Sequence, residues 1–292
     1  MPPRFRKMRS EEVYERLDKE FEIEKINEDD WDSFDLGDFA TESFRTARKG
    51  LVLDNTTEIQ KIYTAVFPSE IVLDHIISLG VEDALLFTHH PMIWDRSLEG
   101  LPFRNIPANY LEILKEHRIS MYTIHVPLDR NGPFSTTVSL ARALEIETEG
   151  EFFDYFGSKV GVIGKIDCSL TSEIAEKIEK AVGHQVKVYR NGPSQITNQR
   201  VALVAGGGNF PEVAEELAET DVKIYITGIG KESPTWEPSL RFHKICRENN
   251  ITIFAATHYS TEKFACIAIL KFFEKLGLES EFVEGTPDFR DY

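Results

Sequence analysis

An internal repeat constrains this chain more than any other feature. From Lys61, "KIYTAVF" reads as a strand, "SEIVLDHIISLG" has the spacing of an amphipathic helix closed by a glycine, and "EDALLFTHHP" reads as a second strand. The same order returns later: "RVALVAGGGNF" is a strand running into glycines, "PEVAEELAET" a helix, and "DVKIYITG" a strand. The two β-α-β units keep step, since Ile62 to Thr88 spans the same 26 positions as Val201 to Thr227 and Thr88 falls on Thr227. "RISMYTIHVPLD" then follows the first unit and "NITIFAATHYSTE" the second. Each is a strand ending in a histidine with an acid four residues on, His125 with Asp129 and His258 with Glu262. An internal duplication in an α/β fold is the economical reading.

Four stretches are expected. Residues 1–50 form an acidic N-terminal segment with "INEDDWDSFDLGDF" in its middle, read as a helical arm or solvated surface. Residues 51–150 form a first α/β lobe and 201–292 a second. Residues 151–200, with strand-like "GSKVGVIGKIDCSL" and "HQVKVYRNG" around the helical "TSEIAEKIEKAVG", form a connecting or insert region.

With 292 residues, 41% apolar, the chain can bury a substantial core. Its 33 basic against 49 acidic side chains, a net charge of −16, argue against nucleic acid as a primary partner. No apolar run is long enough for a membrane span, and the basic start is followed by acidic residues where a signal peptide needs an apolar stretch. Cys168, Cys246 and Cys266 are odd in number and widely spaced, which suits neither a disulfide framework nor a thiolate zinc site. A cytoplasmic protein is expected.

The chemistry is concentrated at strand ends. In "LLFTHHPMIW" a strand ends in His89 and His90, and His125, Asp129, His258 and Glu262 fall at corresponding places, where open α/β sheets gather their ligands. Six nitrogen and oxygen donors of this kind suit Zn, Fe or Mn. Side chains alternate along a strand, so adjacent histidines are expected to face different sides. Each could then serve its own ion in a two-metal site with ions ~3.5–4 Å apart, bridged by Asp129 or Glu262. His75, His117, His184 and His243 lie in helical or helix-edge patterns and are read as surface or core residues. "AGGGN", Ala205 to Asn209, is either an anion cradle ahead of a helix or a tight strand-to-helix turn, and it lacks the lysine of a P-loop. No G-x-S-x-G elbow is present, and no cysteine lies beside a strand-end histidine, so covalent catalysis is not indicated.

"FTHHPMIW", "YTIHVPLD", "VALVAGGGNF", "YITG" and "ATHYSTE", in that order over residues 50–275, resemble the Nif-three-like family, the YbgI-type dinuclear-metal proteins named GTP cyclohydrolase 1 type 2 homologues. The resemblance implies two similar α/β lobes around a central metal-binding cleft, with His89, His90, Asp129, His258 and Glu262 as ligands of two divalent ions. His125, outside the family's usual ligand set, is then a neighbouring group that carries protons. It also implies homo-oligomers, with ring-like hexamers common, and a metal-dependent hydrolase acting on a small molecule, a nucleotide or phosphorylated compound. The alternative is a non-catalytic metal-binding regulatory or scaffold protein. Three departures concern substrate contacts: "VFPSE" replaces a familiar aspartate after the first strand, Thr227-Gly228-Ile229 replaces Thr-Gly-Glu, and the N-terminal tryptophan-aspartate-asparagine-glycine pattern is not clear.

Overall fold

A computed structural model describes residues 5–26, 31, 33–98 and 102–292; residues 27–30 and 32 of the acidic stretch lie outside the described residues. The chain divides into two compact units, Met1–Leu128 with Cys266–Thr286, and Asp129–Ala265 with Pro287–Tyr292.

In the first unit a five-stranded sheet runs in the order Glu279–Phe282, Lys61–Ala65, Ala84–Thr88, Ile119–Thr123, Gly50–Leu53. The first four are parallel and Gly50–Leu53 is antiparallel. Every residue of Ala84–Thr88 and of Ile119–Thr123 is buried, the mark of parallel strands covered on both faces. Helices Glu70–Ser78 and Ala108–Glu116 make the crossovers, burying Val72, Leu73 and Ile76 on one and Leu111 and Leu114 on the other.

The second unit repeats three of these four parallel strands, now Arg200–Val204, Ile224–Thr227 and Thr252–Ala255, with helices Pro211–Ala218 and Glu237–Glu248 between them. Pairing repeats in detail. Thr88 accepts the Ile124 N–H at 3.1 Å in the first unit, and Thr227 accepts the Ala256 N–H at 3.0 Å in the second.

Three expectations change. Residues 151–200 are not an insert: strand Ser158–Lys165 pairs antiparallel with Arg200–Val204, and Lys187–Tyr189 pairs with Thr252–Ala255, so the segment supplies strands of the second sheet. The division falls at Leu128/Asp129 rather than near 150, because Glu147–Tyr155 hairpins onto Ser158–Lys165, and residues 266–286 return to the first unit to pair Glu279–Phe282 with Lys61–Ala65. The described part of the N-terminal segment is helical at Ser10–Phe21, as expected, but it packs into a core and is not a solvated surface. Helix Ser10–Phe21 buries Val13, Tyr14, Leu17 and Phe21, and Trp31, Phe34, Leu36 and Phe44 join the core that holds Leu86 and Met121. Its acids alternate with these apolar groups, which charge counting alone conceals.

Among the described residues no helix is long and apolar enough to cross a membrane. Leu86 is fully buried in the first unit, whereas Ile71 is 53% exposed. Leu86→Ala is expected to cost about 2–5 kcal/mol and Ile71→Ala no more than about 0.5 kcal/mol, read from urea unfolding.

Candidate metal centre

Strand Ala84–Thr88 continues its ladder for two residues past its end. The His89 N–H donates to Ala65 at 3.2 Å and the His90 N–H to Val66 at 3.0 Å, while the Thr123 hydroxyl bonds the Thr88 and His89 carbonyls. Beyond Thr88 the chain bends, so strict strand alternation no longer governs the two histidines. Their imidazole centroids lie 4.4 Å apart, and His125 sits 5.1 Å from His89 and 4.9 Å from His90. One donor nitrogen from each of the three falls within 4.8 Å of the others. The expectation that the adjacent rings face different sides is corrected here: they converge, and His125 converges with them.

The His89 ring is oriented by its backbone. Its Nδ1–H donates to the Ile124 carbonyl at 2.9 Å, which in the neutral imidazole leaves Nε2 as the lone-pair nitrogen. Metal-ligating histidines are characteristically held by such a bond on their other nitrogen. All three rings are buried, none more than 9% exposed. Aromatic side chains cover them: Trp31 stands edge-on to His125 at 4.9 Å and to His90 at 5.8 Å, and Phe67 stacks on His90 at 4.5 Å.

In the second unit, helix His258–Ala268 starts with one candidate ligand and carries the next one turn later. His258 and Glu262 share a face at i, i+4, with Nε2 and Oε1 3.0 Å apart, and both are buried. Asp129 closes the short helix Val126–Asp129, half-buried, and its Oδ1 accepts the Thr136 hydroxyl at 2.7 Å.

Glycines make room for this helix. Gly206 has φ +71°, and a Cβ there would run into the Glu262 carboxylate; a Cβ at Gly228 would strike Thr261 and the Gly206 carbonyl. "AGGGN" forms the tight strand-to-helix turn, and two of its amides are already engaged. The Gly206 N–H is taken by Thr261 Oγ1 at 2.9 Å, and the Gly208 N–H bonds the Gly206 carbonyl and Thr227 Oγ1.

The remaining histidines keep the surface and core roles read for them. His75 is exposed, His117 donates from Nδ1 to the Val81 carbonyl at 3.1 Å, and His184 Nε2 meets Ser260 Oγ at 2.8 Å. His243 is buried and donates from Nε2 to the Gly230 carbonyl at 2.8 Å, burial holding its imidazole below the usual range. Cys168, Cys246 and Cys266 are buried, and burial pushes the Cys246 thiol up to about 12, far from a nucleophile.

Sequence reasoning missed Trp31 and Phe67, and read Gly206 as part of a glycine turn without the carboxylate it clears. A lone tryptophan within an acidic run was the one available signal, because an indole there has no solvated-surface rationale.

These buried histidine and glutamate groups could hold metal ions, and the donor set fits: imidazole and carboxylate with no thiolate. A model of the Duf34/NIF3 (NGG1p interacting factor 3) family matches residues 40–288. The GTP cyclohydrolase 1 type 2 homologue of Pyrococcus horikoshii is 30% identical over 246 residues, covering 82% of this chain and 90% of that one. The Escherichia coli homologue of the same name is 26% identical over 269 residues, 91% and 98% of the two chains. Among solved structures, the protein ybgI aligns with TM-score 0.73 and 24% identity over 96% of this chain and 100% of its own. HcgD from Methanocaldococcus jannaschii aligns with TM-score 0.65 and 23% identity over 96% and 100%. Both share the fold. With the α/β architecture, the strand-end histidines and a match over most of its length, the chain belongs to the Duf34/NIF3 family.

Proposed function

We propose that the protein is a metal-dependent hydrolase in which His89, His90, Asp129, His258 and Glu262 hold two divalent ions of the Zn, Fe or Mn type. The observation that carries this reading is the His89–His90–His125 cluster, three buried imidazoles with donor atoms within 4.8 Å and His89 oriented through Ile124. Imidazole nitrogens gathered at this spacing are donors of the kind a divalent cation takes, and His89 and His90 are the two assigned to ions. Ions held there would supply Lewis acidity and a nucleophile at neutral pH.

The protein's own groups have separable tasks. Asp129 and Glu262 provide the anionic charge that two dications require. Trp31 and Phe67 shut bulk water away from His90 and hold its ring. His125, outside the assigned ligand set, carries the proton. The substrate class is a nucleotide or phosphorylated small molecule, supported by the relatives' name, GTP cyclohydrolase 1 type 2 homologue. A cytoplasmic setting is proposed with it. The chain is further proposed to be a homo-oligomer.

A second reading, a metal-binding regulatory or scaffold protein without turnover, draws on the aromatic cover over imidazoles that are at most 9% exposed. A closed ligand set distinguishes it. Water-proton relaxation of the Mn(II)-loaded protein decides: enhancement reports an exchangeable coordination position and supports the hydrolase, while its absence with full occupancy supports the scaffold.

Asp129→Ala and Glu262→Ala should each strip metal from both positions, while exposed His75→Ala retains it, as measured by elemental analysis. With metal in excess, His125→Gln should keep occupancy but lower turnover by ~10²–10⁴-fold, whereas His89→Gln loses metal and turnover together. Light scattering at micromolar concentration should return a multiple of the chain mass, and a monomer mass would refute the oligomer.

A further inference from the structure

One buried acid plays no part in the ligand set. Asp291 lies in the 3-10 turn Phe289–Asp291, fully buried, and its Oδ2 accepts the backbone N–H of His258 at 2.9 Å. Its own carbonyl accepts the N–H groups of Gly230 and Lys231, each at 3.0 Å. The Gly230 carbonyl in turn accepts from buried His243 at 2.8 Å. Asp291 thus ties together the loop after strand Ile224–Thr227 and the helix that starts after strand Thr252–Ala255. The turn itself is seated: Asp288 Oδ1 accepts the Arg290 N–H at 2.9 Å, Phe289 packs edge-on against His184 at 5.2 Å, and the Tyr292 hydroxyl donates to the Gln185 carbonyl at 2.7 Å.

The first amides of a helix have no partner within it, and its first residue is the most prone to fray. Here that residue is a candidate metal ligand. Thr257, which precedes it, has φ +64°, and its hydroxyl accepts only the more distant Ser260 N–H, at 3.3 Å. The His258 N–H is left to Asp291, whose carboxylate also suits the positive end of the helix dipole. Fraying by one residue would move His258 while Glu262, one turn on, stays in place, and the pair would no longer present its donors together.

We propose that Asp291 is a positioning residue for the His258–Glu262 donor pair, a cap supplied from 33 positions along the chain. This rests on the reading of His258 and Glu262 as metal donors. It predicts that metal affinity depends on a side chain that touches no metal.

The test compares wild type, Asp291→Asn, Asp291→Ala, His258→Ala and Val213→Ala, the last trimming a fully buried side chain in the same unit. Each is titrated as full-length metal-free protein with Co(II), recording affinity and the visible d–d spectrum. Exchange of the His258 amide proton and the unfolding temperature are measured on the metal-free forms. Asp291→Ala should weaken Co(II) binding by ~10–100-fold, alter the visible band and speed exchange at His258. Asp291→Asn, which keeps an oxygen acceptor but loses the charge, should weaken it only about two- to fivefold. Val213→Ala should lower the unfolding temperature and leave the Co(II) spectrum unchanged. Wild-type affinity and spectrum in Asp291→Ala would overturn the proposal, as would an equal loss in Val213→Ala. If Asp291→Ala does not fold, Asp291→Asn decides, since wild-type affinity together with wild-type amide exchange there sinks the cap. Failure of the metal reading looks different: wild type takes up no Co(II), or His258→Ala binds it as tightly as wild type.

Discussion

The hydrogen bond from His89 Nδ1 to the Ile124 carbonyl joins the backbone fold of the first unit to its chemistry. It exists only because strands Ala84–Thr88 and Ile119–Thr123 run parallel and in register, Thr88 opposite Thr123, with Ile124 bonded back to the Thr88 carbonyl. That register is enforced by burial on both faces, since a slip by one residue would turn every side chain of a wholly buried strand toward the wrong layer. A core requirement therefore sets the orientation of an imidazole. Trp31 against His125 and Phe67 against His90 then lower the polarity around the neighbouring rings, which strengthens whatever electrostatic contact those rings make.

The two units solve the same geometric problem with different side chains. In each, the last of three successive crossover strands runs through a short connection into a helix. The first fills the ends of its strands with imidazoles and large aromatics. The second clears them with glycine: Gly206 and Gly228 remove the Cβ atoms that would collide with the His258–Ala268 helix, and Thr261 satisfies the Gly206 amide so released. Substituting Gly228-Ile229 for the position of His89-His90 is thus a packing decision, and it leaves the helix to supply the donors in that unit.

Much of this was legible along the chain. The repeat of β-α-β units could be read because buried parallel strands are short apolar runs and their crossover helices carry a distinct period. The histidines and acids stood out because polar groups at the end of such a run have no packing reason to be there. Trp31 was hidden because its neighbours are acidic, and charge averages over a window conceal a single buried ring. The 151–200 strands were visible as strands, but antiparallel pairing to a distant partner leaves no local trace. Gly206 could be read as a turn, and the carboxylate it must clear lies 56 residues further on.

What the sequence by itself determined is therefore the set of elements, their duplicated order and the identity of the polar groups at the strand ends, because these follow from periodicity and side-chain chemistry. Only the tertiary structure decided that His89, His90 and His125 converge, that residues 266–286 return to the first sheet, and that Asp291 caps the His258 helix. Those depend on where the chain bends after Thr88 and on hydrogen bonds between segments far apart in sequence, and neither quantity is encoded in any local window of residues.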